Sequence, residues 1–226
     1  MTQAARMRTT GARALPTLAW ERRAWANGAL AVAGVDEAGR GAWAGPLVAA
    51  SVVVPQDPRA RAALTRRLTR LGIAAHDSKQ LRPKARAQIS EALDALGWST
   101  AVVAIDPAEI DASGVGVANQ RALQLAVEHV RADHALIDAF RLPQLGCRSE
   151  SIVRGDAQCL SIALASCLAK HSRDTLMHDL DARFPHYGFA LHKGYGTAMH
   201  QRALQEHGPC SVHRQSYRPI AELVQL

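Results

Sequence analysis

Two kinds of apolar pattern alternate along this chain. Residues 30–35 and 47–54 are nearly unbroken apolar runs of strand length, the second ended by Pro55. Between Arg59 and Leu71, the residues Leu64, Leu68 and Leu71 recur at helical intervals with arginines on the other face, which predicts an amphipathic helix. Pro83 opens another, in which Ile89, Leu93 and Leu96 keep the period as far as Gly97. Residues 98–105 return to a strand pattern, and 117–131 predict a helix with Leu123 and Val130 turned inward. Short strands are expected at 135–137, closing on Asp138, and at 151–153, followed by Gly155-Asp156. Residues 157–180 read as helix, broken near His171, and a short helix is expected near 18–25. Elements in this order predict an α/β fold with a mixed sheet.

The polar residues that interrupt this pattern are concentrated where strands end. Asp36 and Glu37 lie just past the first strand, Asp138 ends the fourth, and Asp156 follows the fifth. In open α/β sheets, sites gather beyond the carboxyl ends of strands, so these acids converge if their strands are neighbours. Taken singly, each acid reads as a helix cap or an arginine's partner. Taken together they would repel strongly, and cations between them are the usual remedy. Gly39-Arg40-Gly41 follows the first pair at once, and glycines beside a guanidinium allow close approach to a phosphate. Metal-binding acids beside a phosphate clamp point to phosphodiester chemistry. Gly39-x-Gly41-x-x-Ala44 also fits a dinucleotide-binding fingerprint, but that motif must open a helix, and here Gly45-Pro46 and a strand follow.

Composition agrees with a nucleic-acid substrate without requiring one. Lysine and arginine number 27 against 20 acids, a formal charge of +7, and arginine far outnumbers lysine. The 226 residues suffice for one sizeable core. Cys147, Cys159, Cys167 and Cys210 form no Cys-x-x-Cys pair, so free thiols in a reducing cytoplasm are expected rather than zinc or disulfides. No segment has the length of a membrane span. The arginine-rich first 29 residues suit either an organelle-targeting segment or a frayed basic tail leading into the short helix. Seven histidines from His171 to His213 show no metal-ligand spacing and read as packing or surface residues, His192 beside Lys193 being placed to approach a phosphate backbone. The arginine face from Arg59 to Arg70 adds, at most, nonspecific attraction to a backbone.

An ordered series of motifs resembles the ribonuclease HII family. It begins with Ala33-Gly34-Val35-Asp36-Glu37-Ala38-Gly39-Arg40-Gly41 and Ala44-Gly45-Pro46. It continues through Asp77-Ser78-Lys79, Ile137-Asp138, Gly155-Asp156, Ser161-Ile162-Ala163, Ala165-Ser166, Ala169-Lys170 and Arg173-Asp174, and ends with Lys193-Gly194-Tyr195-Gly196-Thr197 and His213-Arg214. The resemblance spans roughly residues 17–220. It implies a ribonuclease H-like fold with a central mixed five-stranded sheet flanked by helices, plus a helical C-terminal part. Residues 1–16 are expected to be a basic tail, and 17–226 a single catalytic domain. With sixteen unmatched residues ahead of the resemblance, the extra N-terminal domain usual in ribonuclease HIII is not expected. Ala42-Trp43, Ala139-Phe140 and Tyr217 depart from the usual pattern, where Pro-Leu, a glycine and phenylalanine are more common.

The resemblance implies cleavage of the RNA strand of RNA–DNA hybrids and nicking of DNA 5′ to single embedded ribonucleotides, as in ribonucleotide removal and primer clearance. Asp36, Glu37, Asp138 and Asp156 would bind two divalent ions, Mg²⁺ or Mn²⁺, as catalytic acids. An all-oxygen donor set suits those ions, which lower the pKa of water and stabilise the leaving oxygen from about 3.5–4 Å apart. Attack on the phosphate 5′ to the ribonucleotide would leave a 3′-hydroxyl and a 5′-phosphate. Gly39, Arg40 and Gly41 would recognise the 2′-hydroxyl, the group that separates RNA from DNA. Tyr195, flanked by Gly194 and Gly196, would stack on the deoxyribose beyond it, and Lys79 would approach the backbone. A cytoplasmic monomer is the default expectation. Two other readings remain open at this point: a nuclease of the same fold acting on DNA alone, and a noncatalytic RNA–DNA binding module.

Overall fold

The computed structural model describes residues 15–73 and 81–224. Asp77-Ser78-Lys79 and almost all of the expected basic tail lie outside these described residues. In chain order the elements are α1 (Ala19–Ala26), β1 (Val32–Ala38), β2 (Leu47–Val53), α2 (Pro58–Arg70), α3 (Pro83–Ala95), β3 (Thr100–Ile105), α4 (Pro107–Ser113), α5 (Val115–His129), β4 (His134–Asp138), β5 (Arg148–Ile152), α6 (Leu160–Arg183), α7 (Phe189–His192), α8 (Ala198–His207) and α9 (Arg218–Val224). A 3₁₀ turn, Gly155–Ala157, joins β5 to α6.

The five strands form one mixed sheet in the order β3-β2-β1-β4-β5. β1 is central, antiparallel to β2 and parallel to β4, and β4 is parallel to β5. The carboxyl ends of β1, β4 and β5 therefore meet at one edge. Alternation sorts the side chains between two faces. Val35, Ala49, Val103, Ala135 and Ile137 pack against α5 through Ala122, Leu123 and Ala126. On the opposite face, Ala50 and Val52 pack with α2, α3 and α6, while Val32 and Leu136 meet Ile162 of α6. Gly34 is the point of closest approach, because a Cβ there would lie 2.1 Å from the backbone carbon of Ser161. The missing side chain lets the start of α6 rest directly on β1.

Four expectations need correction. Asp36 and Glu37 lie inside β1, still paired with Ala50 and Ala49 of β2, although the ladder to β4 ends at Val35 and Ile137. Antiparallel pairing thus carries the strand past the point where its apolar run stops. The helix expected to break near His171 is one 24-residue helix. His171 and Ser172 carry neither the missing N–H nor the ring clash of proline, and Ala169, Arg173 and Met177 continue the buried face. β5 begins three residues earlier than expected, since its polar residues sit on an edge strand. Pro107–Ser113 forms the unpredicted α4, which buries Ile110.

Candidate active site

Asp36, Glu37 and Asp138 line one cleft of about 430 Å³ at the carboxyl edge of the parallel strands. Gly39, Arg40, Gly41 and Tyr195 line the same cleft, together with Arg86, Lys170, Arg173, Asp174 and Lys193. The fourth expected acid, Asp156, does not reach this wall. It sits 3% exposed in the 3₁₀ turn, next to Gly155, whose N–H donates to Asp138 Oδ1 at 2.7 Å. Gly155 is required there, because a Cβ would lie 2.5 Å from Ile162 and 3.4 Å from Asp138 Oδ1.

Asp36 and Glu37 each lie beside a cation of the protein. Asp36 points toward α6, accepts a hydrogen bond from Ser166, and has Lys170 Nζ 3.9 Å from Oδ2. Lys170 itself donates to Ser166 one turn earlier. Burial nevertheless pushes Asp36 up to about 6, against the pull of Lys170. Glu37 lies 4.0 Å from the exposed Arg40 guanidinium. Burial first, then the charge of Asp36, push its carboxyl up to about 7. Burial is thus the main cost of keeping these acids ionised, with their crowding second. Oxygen-only donors fit a hard divalent ion. Among the described residues, no three His, Cys, Asp or Glu side chains are grouped closely enough to hold a metal ion as they stand.

The segment from Gly39 to Pro46 leaves β1 and carries its backbone carbonyls into the interior. Two buried arginines satisfy them. Arg173 donates from Nε to Pro46 O at 2.9 Å and from an Nη to Ala44 O at 3.2 Å. Arg214, fully buried, donates to Gly45 O at 2.9 and 3.0 Å and to Arg40 O at 3.1 Å. Gly39, at φ +86°, passes so close to Arg173 that a Cβ would lie 1.8 Å from its Nε. Tyr195 is 42% exposed at the cleft, and its ring lies over the same Arg173 guanidinium at 5.4 Å. The Gly-Arg-Gly turn and Tyr195 thus share one support.

Sequence reasoning gave no role to Ser166, Lys170, Arg173 or Asp174. In the sequence they stand only as motif matches; that they form one stripe at i, i+4, i+7 and i+8 is legible only if α6 runs unbroken past His171. Arg214, which stands only within the last motif, and Tyr217, only a departure from the usual pattern, arrive from the far C-terminal part, and nothing local gave either a role.

The family model described as Ribonuclease HII matches residues 33–220. A ribonuclease HII of Herpetosiphon aurantiacus is 42% identical over 210 residues, covering 90% of this chain and 96% of that protein. In fold, ribonuclease H2 of Pyrococcus horikoshii OT3 aligns with a TM-score of 0.66 at 22% identity, over 86% of this chain and 97% of that one. Bst-RNase HIII, solved in complex with Mn²⁺, aligns with a TM-score of 0.65 at 19% identity, over 87% and 70% of the two chains. With the family model spanning most of its length and a relative matched almost end to end, this chain belongs to the ribonuclease HII family.

Proposed function

We propose that the acid-lined cleft is where this chain performs the family's reaction, hydrolysis of the RNA strand of RNA–DNA hybrids and nicking of DNA at embedded ribonucleotides. One observation carries the assignment: Asp36, Glu37 and Asp138 share a single cleft with Arg40 and Tyr195. In this reading Asp36, Glu37, Asp138 and Asp156 hold two divalent ions, Mg²⁺ or Mn²⁺. The Mn²⁺ bound by Bst-RNase HIII, which shares the fold, supports that choice. When bound, such ions lower the pKa of a water and stabilise the leaving 3′ oxygen.

The chain's own groups supply the rest. Ser166 and Lys170 fix the Asp36 carboxylate from one side, and Gly155 N–H fixes Asp138. Asp156, buried in the 3₁₀ turn beside Gly155, would supply the fourth carboxylate. Arg40, exposed and only 4.0 Å from Glu37, is free to turn from the carboxylate to a substrate phosphate. Gly39 and Gly41 offer backbone groups to the ribose 2′-hydroxyl with no side chain in the way. The open face of Tyr195 packs on the next sugar. Lys79 is assigned to the substrate backbone, and residues 17–226 to one catalytic domain. The expected products carry a 3′-hydroxyl and a 5′-phosphate.

The deciding experiment is cleavage of a DNA duplex holding one ribonucleotide, with Mg²⁺, Mn²⁺ or EDTA, beside an all-DNA duplex and the Asp138→Asn variant. Metal-dependent nicking 5′ of the ribonucleotide by the unaltered chain alone supports the assignment. Cutting of the all-DNA duplex, undiminished cutting by Asp138→Asn, or 2′,3′-cyclic phosphate ends would overturn it.

A further inference from the structure

Behind Tyr195 lie three buried histidines, His192, His200 and His213, outside the acid cleft. Their protons can be assigned because the chain of contacts ends on backbone groups whose roles are fixed. Cys210 N–H donates to His213 Nδ1 at 2.9 Å, so the proton of a neutral His213 ring sits on Nε2. That Nε2 faces His200 Nε2 at 3.0 Å, which must therefore accept. The His200 proton is then on Nδ1, 3.1 Å from the carbonyl oxygen of Tyr195, which can only accept. Both ends demand the same polarity. A longer contact, His213 Nδ1 to Cys210 O at 3.3 Å, would ask for the reverse, while the Cys210 thiol, 3.2 Å from the same Nδ1, fits either polarity. Reversal would turn a bare His200 Nδ1 against the Tyr195 oxygen, two acceptors face to face.

His192 extends the set. Gly194 N–H donates to its Nδ1 at 3.2 Å, leaving Nε2 to donate to Tyr187 O at 2.7 Å. Its ring stacks on His200 with centroids 4.4 Å apart. Tyr187, Phe189 and Trp43 close the surroundings. Thus the backbone on both sides of the Tyr195 ring is held by imidazoles: Gly194 by His192, and the Tyr195 carbonyl by His200.

We propose that His213, His200 and His192 are positioning residues, a polarised set of neutral imidazoles that fixes where Tyr195 is presented to the substrate sugar. The proposal rests on the reading of Tyr195 as the sugar-contacting ring. Burial favours the same neutral state, pulling both His200 and His213 down to about 4. A proton on His213 Nδ1 would face the Cys210 N–H donor, and one on His200 Nε2 would face the His213 donor.

Two measurements test this. ¹⁵N spectra of the histidine-labelled, unaltered protein at pH 7 should show His200 as the uncommon Nδ1–H tautomer, with His192 and His213 as Nε2–H. His200 protonated on Nε2, or a charged His200 or His213, overturns the proposal whatever the variants do. In kinetics on the single-ribonucleotide duplex, His200→Leu should raise KM about tenfold, the equivalent of one lost hydrogen bond of about 1.4 kcal/mol, with kcat little changed. His200→Asn keeps an N–H donor near the Nδ1 position and should recover most of the loss. Adding His200→Leu to Tyr195→Ala should cost nothing more. Equal loss in the Asn and Leu variants, or additive loss in the double variant, overturns the positioning role. If folded Tyr195→Ala cleaves normally, the reading of Tyr195 fails and the positioning role with it. The tautomers would then stand as a feature of the core alone.

Discussion

The hydroxyl of Tyr217 donates to the carbonyl oxygen of Arg40, tying the approach to the last helix to the middle of the Gly-Arg-Gly turn. The same oxygen atom of Tyr217 accepts from Arg214 at 2.9 Å, and Arg214 also reaches the Arg40 carbonyl directly. Tyr217→Phe removes the hydroxyl and leaves one donor on that carbonyl. We expect kcat/KM on the single-ribonucleotide duplex to fall by up to about fivefold, about 1 kcal/mol, without a change in fold. Steady-state kinetics beside a circular dichroism spectrum would show it, and an unchanged kcat/KM would mean that Arg214 alone holds the turn.

The raised carboxyls set the pH behaviour. Asp36 and Glu37, at about 6 and about 7 in the folded chain, ordinarily titrate at 3.8 and 4.5. Between those limits the folded protein holds more protons than the unfolded one, so their contribution to stability falls as pH rises. A divalent ion favours the ionised acids and reverses this. Added Mg²⁺ should therefore raise the melting temperature more at pH 8 than at pH 5. An equal rise at both values would show that these acids do not bind the ion.

Gly39 and Gly41 are separated by one residue but differ in what they tolerate. Gly39→Ala places a methyl on the Arg173 side chain at a positive φ, and should lower both stability and activity, the former by about 1–3 kcal/mol. Gly41→Ala meets nothing within 4 Å. It should melt like the unaltered chain, with any loss confined to substrate cleavage. Equal melting temperatures for both variants would refute the packing argument.

Ala139, directly after Asp138, has φ +48°, the left-handed region where a Cβ is strained. This explains why glycine is the easier residue at that position. Ala139→Gly should relieve the strain, partly offset by the greater freedom of glycine in the unfolded chain, for a net gain of about 0.5–1 kcal/mol. Urea denaturation would register it as a higher midpoint, and a lower one would mean that the methyl has a packing role.

The α/β order was legible because β1 and β2 are long apolar runs and α2, α3 and α5 keep a helical period. The acids were legible because each stands at or near a strand's carboxyl end, which topology then brought to one edge. The recess of Asp156 was hidden, since burial depth within a 3₁₀ turn leaves no periodic trace. In the sequence the histidines read as packing or surface residues, with His192 placed to approach a phosphate backbone. His192 is instead buried with Nε2 on the Tyr187 carbonyl, and the packing reading of the others omits their order. Their chain joins Cys210, His213, His200 and Tyr195, and only the folded backbone shows that these contacts share one polarity.

The segment from Gly39 to Pro46 is braced from within by Arg173 and Arg214. A loop held on its inner side by two guanidinium groups has little slack. It loses little conformational freedom when a substrate arrives, so contact with the ribose is not spent on ordering the reader. If the turn reads the 2′-hydroxyl as proposed, the same stiffness prevents it from settling onto a deoxyribose. The missing hydroxyl then leaves backbone groups without a partner, and fidelity against ordinary DNA becomes a mechanical property of the interior rather than of the cleft surface.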